Sequence, residues 1–225
     1  MIKIAIYGPS GSGKSTLAKA LSKKLGFIYV DTGALYRSIG LYMLRSGAEL
    51  SNKNEIISRL PEIKLSMFHD ESGSQHVTLN GTDVGDTIRT SEVSAAASVV
   101  SAIPEVRAFL LDTQRNMAKE HCVIMDGRDI GTVIFPDADV KLFLIAGNEA
   151  RAKRRHAELL EKGESITYEQ VLADMEKRDV NDRTRKEAPA IPADDAIMLD
   201  NSGFTPEQTV IKALEIIENK LKSNK

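Results

Sequence analysis

Apolar residues along the chain follow two alternating rhythms. Short runs rich in apolar, β-favouring residues recur at 2–7, 27–30, 122–125 and 140–145, with a weaker one at 196–199. Continuous runs of this length mark strands buried on both faces of a parallel sheet. Between them the spacing turns helical. Leu17, Ala18, Leu21 and Leu25 lie on one side of a helix that Gly26 stops, and Leu41, Tyr42 and Leu44 on one side of the next. Val93, Ala96, Ala97 and Val100 form a third stripe, and Pro104 opens a helix carrying Val106, Phe109, Leu110 and Met117. Thr205-Pro206-Glu207-Gln208 announces the last helix, whose apolar side is Val210, Leu214, Ile217 and Leu221. Five buried strands separated by helices predict a doubly wound α/β core.

Two stretches break this pattern. Residues 63–68 alternate apolar and polar with period two, and so do 76–79 ahead of Asn80-Gly81, a strong hairpin turn. A small antiparallel insert is expected at 61–95, with 83–89 irregular. The second stretch, 148–186, is polar. Asn148 can cap a helix bearing Arg151, Lys153, Arg154 and Arg155 that Gly163 ends. Thr167 and Gln170 form a capping-box signature for another helix, which runs into the charged segment 177–185. The expected layout is a core of 1–60, 96–147 and 187–225, the insert at 61–95, and a helical hairpin at 148–186 built like a lid. A charge run of this kind also reads as a solvated face.

Composition excludes several classes. The 225 residues are 42% hydrophobic and 28% charged, ordinary for a globular protein, and the net charge of −2 offers no global attraction to nucleic acid or acidic membranes. Any anion site must be built locally. No apolar run approaches the roughly 18 residues of a membrane span, and the N-terminus has no signal-peptide pattern. A cytoplasmic monomer is expected. Cys122, the one cysteine, lies in an apolar run and reads as a buried, inert thiol. The four histidines show no ligand spacing, so no transition-metal site is expected.

The chemistry starts at Gly8-Pro9-Ser10-Gly11-Ser12-Gly13-Lys14-Ser15-Thr16, between the first strand and the first helix. In that context G-x-x-x-x-G-K-[ST] is a phosphate-binding loop. Its glycines let consecutive N–H groups turn toward phosphate oxygens, and the following helix N-terminus adds to the field. Lys14 can reach the β- and γ-phosphates and the Ser15 hydroxyl can ligate Mg²⁺. A nucleoside triphosphate is the expected ligand.

In open α/β sheets a ligand lies beyond the carboxyl ends of the strands. Thr32 and Arg37 follow the second strand, where a second substrate could sit. Equally, Asp31 or Thr32 could merely cap the helix, with Arg37 a solvated charge. There is no N-K-x-D guanine-reading motif, since Asn52-Lys53-Asn54-Glu55 ends in Glu, and no L-S-G-G-Q signature. What remains is a triphosphate loop with arginines and carboxylates at other strand ends and in the hairpin. No His or Asp stands ready for a hydroxyl acceptor, so an ionised phosphate is favoured as the attacking group, held by the planar forks of arginine.

GPSGSGKST, DTGALYR, the region around SAIPEVR, DGRDIGTVIFPDADVKLFL and RDVNDRTR, in this order, resemble the bacterial cytidylate kinases, members of the nucleoside monophosphate kinase family, over essentially the whole chain. The resemblance implies an adenylate-kinase-like fold: a P-loop five-stranded parallel sheet, a small antiparallel monophosphate-binding insert and a helical lid. It implies ATP-dependent phosphorylation of CMP and dCMP to CDP and dCDP. By the same resemblance Arg151 and Arg155 face ATP from the hairpin, alongside the loop residues 8–16. Thr32, Arg37, Ser98, Arg107, Arg128, Asp129, Arg178, Asp182 and Arg185 hold CMP. Within that set Asp129 accepts from the cytosine amine, Arg107 donates toward its N3 or O2, and Asp182 takes the ribose hydroxyls. Lys14, Arg128, Arg155, Arg178 and Arg185 act on the transferring phosphoryl group. Mg²⁺ accompanies ATP, at Ser15 and through water at Asp126, which reads equally as a buried structural acceptor. The rival readings are a P-loop kinase for another monophosphate such as UMP, and a non-catalytic ATP-binding regulator.

Overall fold

The computed structural model describes residues 1–71, 73–161 and 163–223. Five strands form the parallel sheet: β1 (Lys3–Tyr7), β2 (Ile28–Asp31), β6 (Val123–Gly127), β7 (Val140–Ile145) and β8 (Ile197–Asp200), in the order β2-β6-β1-β7-β8. A separate antiparallel sheet comprises β3 (Leu65–His69), β4 (Gln75–Leu79) and β5 (Thr82–Asp83). Each run of apolar residues in the sequence thus becomes a strand within one or two positions of its expected limits. By their internal contacts the residues group into two compact units, 28–123 (with Met1) and 2–27 with 124 onwards.

In the first unit, α2 (Thr32–Arg45) packs against α4 (Ser91–Val100). Gly40 permits the close approach, because a Cβ there would stand 2.9 Å from the Ala97 nitrogen. The shared core includes Leu35, Ile39, Met43, Val93, Val100, Val106 and Leu110, the last two from α5 (Pro104–Asn116). Val77 and Leu79 of β4 close it from the antiparallel sheet, while their neighbours on that strand stay more exposed, as period two requires. The register pairs Leu65 with Leu79 and His69 with Gln75. Asn52, the head of the near-miss guanine motif, instead caps a short helix, α3 (Lys53–Arg59), by accepting from Glu55 N–H at 3.2 Å. Cys122 is half-buried rather than buried. It lies just outside β6, and its carbonyl accepts from Ile28 N–H.

In the second unit, β1 and β7 pair in register from Ile4–Val140 to Tyr7–Phe143, and β7 and β8 from Leu142–Ile197 to Ile145–Asp200. The carboxyl ends of β7 and β8 therefore finish level, two residues beyond that of β1. The helices α1 (Lys14–Leu25) and α8 (Pro206–Ser223) contact each other and turn Leu17, Ala18 and Leu21, and Val210, Ala213 and Ile217, inward. Thr205 and Gln208 cap α8 reciprocally. The hairpin consists of α6 (Asn148–Glu161) and α7 (Tyr168–Thr184) packed on Ala152, Leu159, Val171 and Met175. The expected capping box at Thr167 and Gln170 is present. After β6 the chain makes a π-helical turn at Ile130–Ile134, closed by Phe135 N–H donating to Ile130 O at 2.7 Å. Among the described residues no single helix is long and apolar enough to cross a membrane.

Candidate active site

The phosphate loop leaves β1 at Gly8, whose φ of +143° is open to glycine. A Cβ at that residue would sit 2.3 Å from the Leu144 carbonyl oxygen of β7, so the loop starts hard against the neighbouring strand. Gly13, also at positive φ, delivers the chain into α1 at Lys14. Ser12 and Lys14 both aim at the Pro9 carbonyl, and Lys14 Nζ lies 3.3 Å from Ser12 Oγ. The Ser12 carbonyl accepts from Asn201 Nδ2 at 3.0 Å. Ser15 and Thr16 are exposed, and Ser15 Oγ donates to the buried Asp126 Oδ2 at 2.7 Å.

Lys14 is 5% exposed. Burial pushes its ammonium well below the usual lysine range; the Arg128 charge adds to this and Arg178 does so more weakly, against Asp126 and Asp179. Those arginines belong to a cluster around one carboxylate. Arg128, just after β6, donates through Nε to Asp182 Oδ2 at 3.0 Å. Arg185 Nη1 lies 3.6 Å from the other oxygen, and Arg178 Nε 3.9 Å from the first. Asp182 itself is 5% exposed. Burial raises its pKa, but Arg128, Arg178 and Arg185 together outweigh that and leave the carboxyl below its ordinary range. Asp129, also buried, precedes the π-helical turn, and its carbonyl accepts from Val133 N–H at 2.9 Å.

The two other hairpin arginines singled out in the sequence differ in setting. Arg151 is 3% exposed. It donates to the carbonyls of Ala146 (3.0 Å) and Ser10 (2.7 Å) and to the side chains of Asn148 and Asp179. Arg155, one turn later, pairs with Glu158 at 2.9 Å. Arg154 donates to the Asn201 carbonyl at 3.0 Å. The charged segment 177–185 is therefore only partly a solvated face, since Asp179 and Asp182 turn inward to arginines.

The first unit gathers the remaining sequence candidates. Asp31 caps α2 through Ala34 N–H at 3.1 Å and holds Arg37 Nη2 at 2.7 Å. Arg37 is thus an ion-paired side chain, and the bland reading of a solvated charge is set aside, although Asp31 does cap as that reading had it. The Asp31 backbone is fixed from both sides by Gln75, whose Oε1 accepts its N–H at 2.7 Å and whose Nε2 donates to its carbonyl at 3.3 Å. Thr32 is buried. Arg107 donates to Ser101 O at 3.1 Å and its guanidinium stands 5.4 Å from the centre of the Tyr36 ring, a cation–π contact. Ser98 is half-buried on α4, where its carbonyl accepts from Ser101 Oγ.

Three residues without a role assigned from sequence touch those that have one, or their neighbours: Asp179 contacts Arg151 and Ser10, Gln75 contacts Asp31, and Tyr36 lies under Arg107. Tyr36 and Asp179 both stood inside quoted motifs, DTGALYR and RDVNDRTR. The partners of Asp179 and Gln75 lie 28 to 169 positions away, beyond the reach of local pattern.

Comparisons with known proteins bear on what the arrangement is for. A family model described as cytidylate kinase matches residues 4–219. The chain is 46% identical over 219 residues to the cytidylate kinase of Carboxydothermus hydrogenoformans, which covers 97% of this chain and 98% of that one. It is 48% identical over 217 residues to the cytidylate kinase of Caldicellulosiruptor saccharolyticus, with 96% and 95% covered. Among solved structures, an uncharacterized protein from Eubacterium ventriosum matches with a TM-score of 0.54 at 14% identity, over 97% of this chain and 99% of that one; this is a likeness of fold alone. With the family model spanning residues 4–219 and relatives 46–48% identical over nearly its full length, the chain belongs to the cytidylate kinase family.

Proposed function

We infer that the protein transfers the γ-phosphoryl group of ATP to the phosphate of CMP or dCMP, yielding ADP and CDP or dCDP. The observation that carries this reading is the meeting of Arg128, Arg178 and Arg185 on Asp182, near enough to the loop for Arg128 and Arg178 to act on Lys14. Phosphoryl transfer asks for alignment and charge neutralisation, not for a strong base, when the nucleophile is already an anionic phosphate oxygen. That oxygen attacks the γ-phosphorus as the bond to the ADP oxygen breaks. Lys14 and the arginine cluster offset the charge on the equatorial oxygens.

In this reading residues 8–16 bind the ATP phosphates, with Arg151 and Arg155 serving the ATP side from the hairpin. The exposed Ser15 hydroxyl and the Asp126 carboxylate behind it are oxygen donors that suit Mg²⁺, an ion that keeps most of its waters. When bound with ATP it would add charge neutralisation at the β- and γ-phosphates. The residues assigned to CMP are Thr32, Arg37, Ser98, Arg107, Arg128, Asp129, Arg178, Asp182 and Arg185. Asp129 accepts from the cytosine amine and so selects against uracil, which presents an acceptor at that position. The enzyme works as a cytoplasmic monomer on free nucleotides, without nucleic acid or membrane.

Purified protein given ATP and Mg²⁺ with CMP, dCMP, UMP, AMP or shikimate, one acceptor at a time, should release ADP fastest with the two cytidine nucleotides. A faster rate with UMP would transfer the assignment to another monophosphate, and binding of ATP without acceptor-dependent ADP release would make the chain a nucleotide-binding regulator.

A further inference from the structure

We propose that Asp179, on α7, is a positioning residue for this reaction, holding the phosphate loop at Ser10 and aiming Arg151; the proposal rests on the kinase reading above. Asp179 Oδ1 accepts from Ser10 N–H at 3.1 Å, and its other oxygen takes Arg151 Nη1. The same Arg151 nitrogen donates to the Ser10 carbonyl at 2.7 Å. The Ser10 N–H belongs to the peptide joining it to Pro9, and its carbonyl to the peptide joining it to Gly11. Both peptide planes beside Ser10 are therefore held, one by the carboxylate and one by the guanidinium.

A second contact points the same way. A Cβ built on Gly11 would stand 2.7 Å from Met175 Cε and 3.4 Å from Arg151 Cβ. Met175 and Asp179 are four positions apart and share one face of α7. That face seats on two consecutive loop residues, the methionine on Gly11 and the aspartate on Ser10. The hairpin thus grips the loop ahead of the N–H groups that lead into α1, and fixes the direction in which they point.

Arg151 also needs this carboxylate. A guanidinium that is 3% exposed is stable only when its charge is matched and its donors are used. Asp179 is its ion-pair partner, and the two carbonyls and Asn148 take three further donors. Without Asp179 the guanidinium keeps only the two carbonyl bonds and Asn148, with no charged partner, and the Ser10 N–H loses its acceptor.

The role is one of aim, so its loss should weaken ATP in the ground and transition states together and appear mainly in KM for ATP. In Asp179→Ala we expect that KM to rise about tenfold, equivalent to about 1.4 kcal/mol, with KM for CMP within about twofold of the wild type. Hydrogen exchange over residues 8–14 should speed up, while β1 and β7 exchange at the wild-type rate. Asp179→Asn keeps an acceptor for Ser10 but not the charge for Arg151, and should lie between. Asp174→Asn, at an exposed carboxylate on the same helix, is the control for helix charge. An unchanged KM for ATP and unchanged loop exchange in a folded Asp179→Ala protein would overturn the proposal. So would faster exchange throughout the sheet, which marks a merely structural residue. Absence of CMP-dependent ADP release from the wild type would instead sink the kinase reading, and loop exchange would still decide whether Asp179 holds Ser10.

Discussion

Lys14 sits where its own charge is disfavoured, by burial first and by Arg128 second. A polyanion arriving at the loop reverses that balance, because opposite charge at close range favours the protonated amine. Lys14→Ala should lower kcat by roughly three decades, the scale seen when one charge-stabilising donor is removed from a transition state; near-normal turnover in a coupled ADP assay would contradict the role given to it. Asp182 obeys the opposite sign. Its folded pKa lies below the unfolded value of about 3.9, so the stability it contributes is present above about pH 4 and is lost as pH falls through the lower, folded value. Asp182→Asn leaves three guanidinium groups facing one another without their shared counter-ion. Its urea midpoint should fall well below the wild type at pH 7, and the gap should narrow towards pH 3. At this scale the sequence was a partial guide. Lys14, Ser15 and the segment around Asp182 announce themselves through motif and charge, whereas the use of Asp179 or Gln75 depends on a partner that only folding brings near.

At the scale of elements, β2 and the antiparallel sheet are tied through two side chains. Gln75 on β4 uses both ends of its amide on the Asp31 backbone, and His69 on β3 contacts the Tyr29 carbonyl at 2.7 Å. Asp31 in turn caps α2 and holds Arg37. Gln75→Ala should therefore destabilise the protein by about 1–2 kcal/mol, the scale of one or two lost net hydrogen bonds, read from urea unfolding. The same substitution should raise KM for CMP more than KM for ATP; an equal rise in both would separate Gln75 from Arg37. Strands and caps were the most legible elements, since apolar runs, Gly26, Thr167 and Thr205 act through neighbours in sequence. The helix at Lys53–Arg59 escaped because its opening residues resembled a failed nucleotide motif and its single buried residue, Ile56, gives no period. The π-helical turn at Ile130–Ile134 escaped for another reason: an i to i+5 turn leaves no distinctive spacing in so short a stretch.

For the molecule as a whole, a ligand that binds only the folded state stabilises it by RT ln(1 + [L]/Kd), about 2.7 kcal/mol at a hundredfold excess over Kd. Thermal unfolding with CMP should therefore shift Tm upward by several degrees, while UMP at the same concentration should shift it less. Equal shifts would remove the role given to Asp129 in reading the base. Fold class was open to inspection from the alternation of buried runs and helical stripes, and a net charge of −2 already required that any attraction for phosphate be local.

That local build has a consequence in the company the cluster keeps. Around Asp182 three guanidinium groups carry a resident anion with them, so a visitor meets less positive charge than three arginines alone would present. A lone sulfate or inorganic phosphate would gain less there than from arginines without that carboxylate, whereas a nucleotide brings base and sugar to anchor it as well. The embedded carboxylate therefore holds the arginines in place ahead of a ligand while it lowers their pull on small anions.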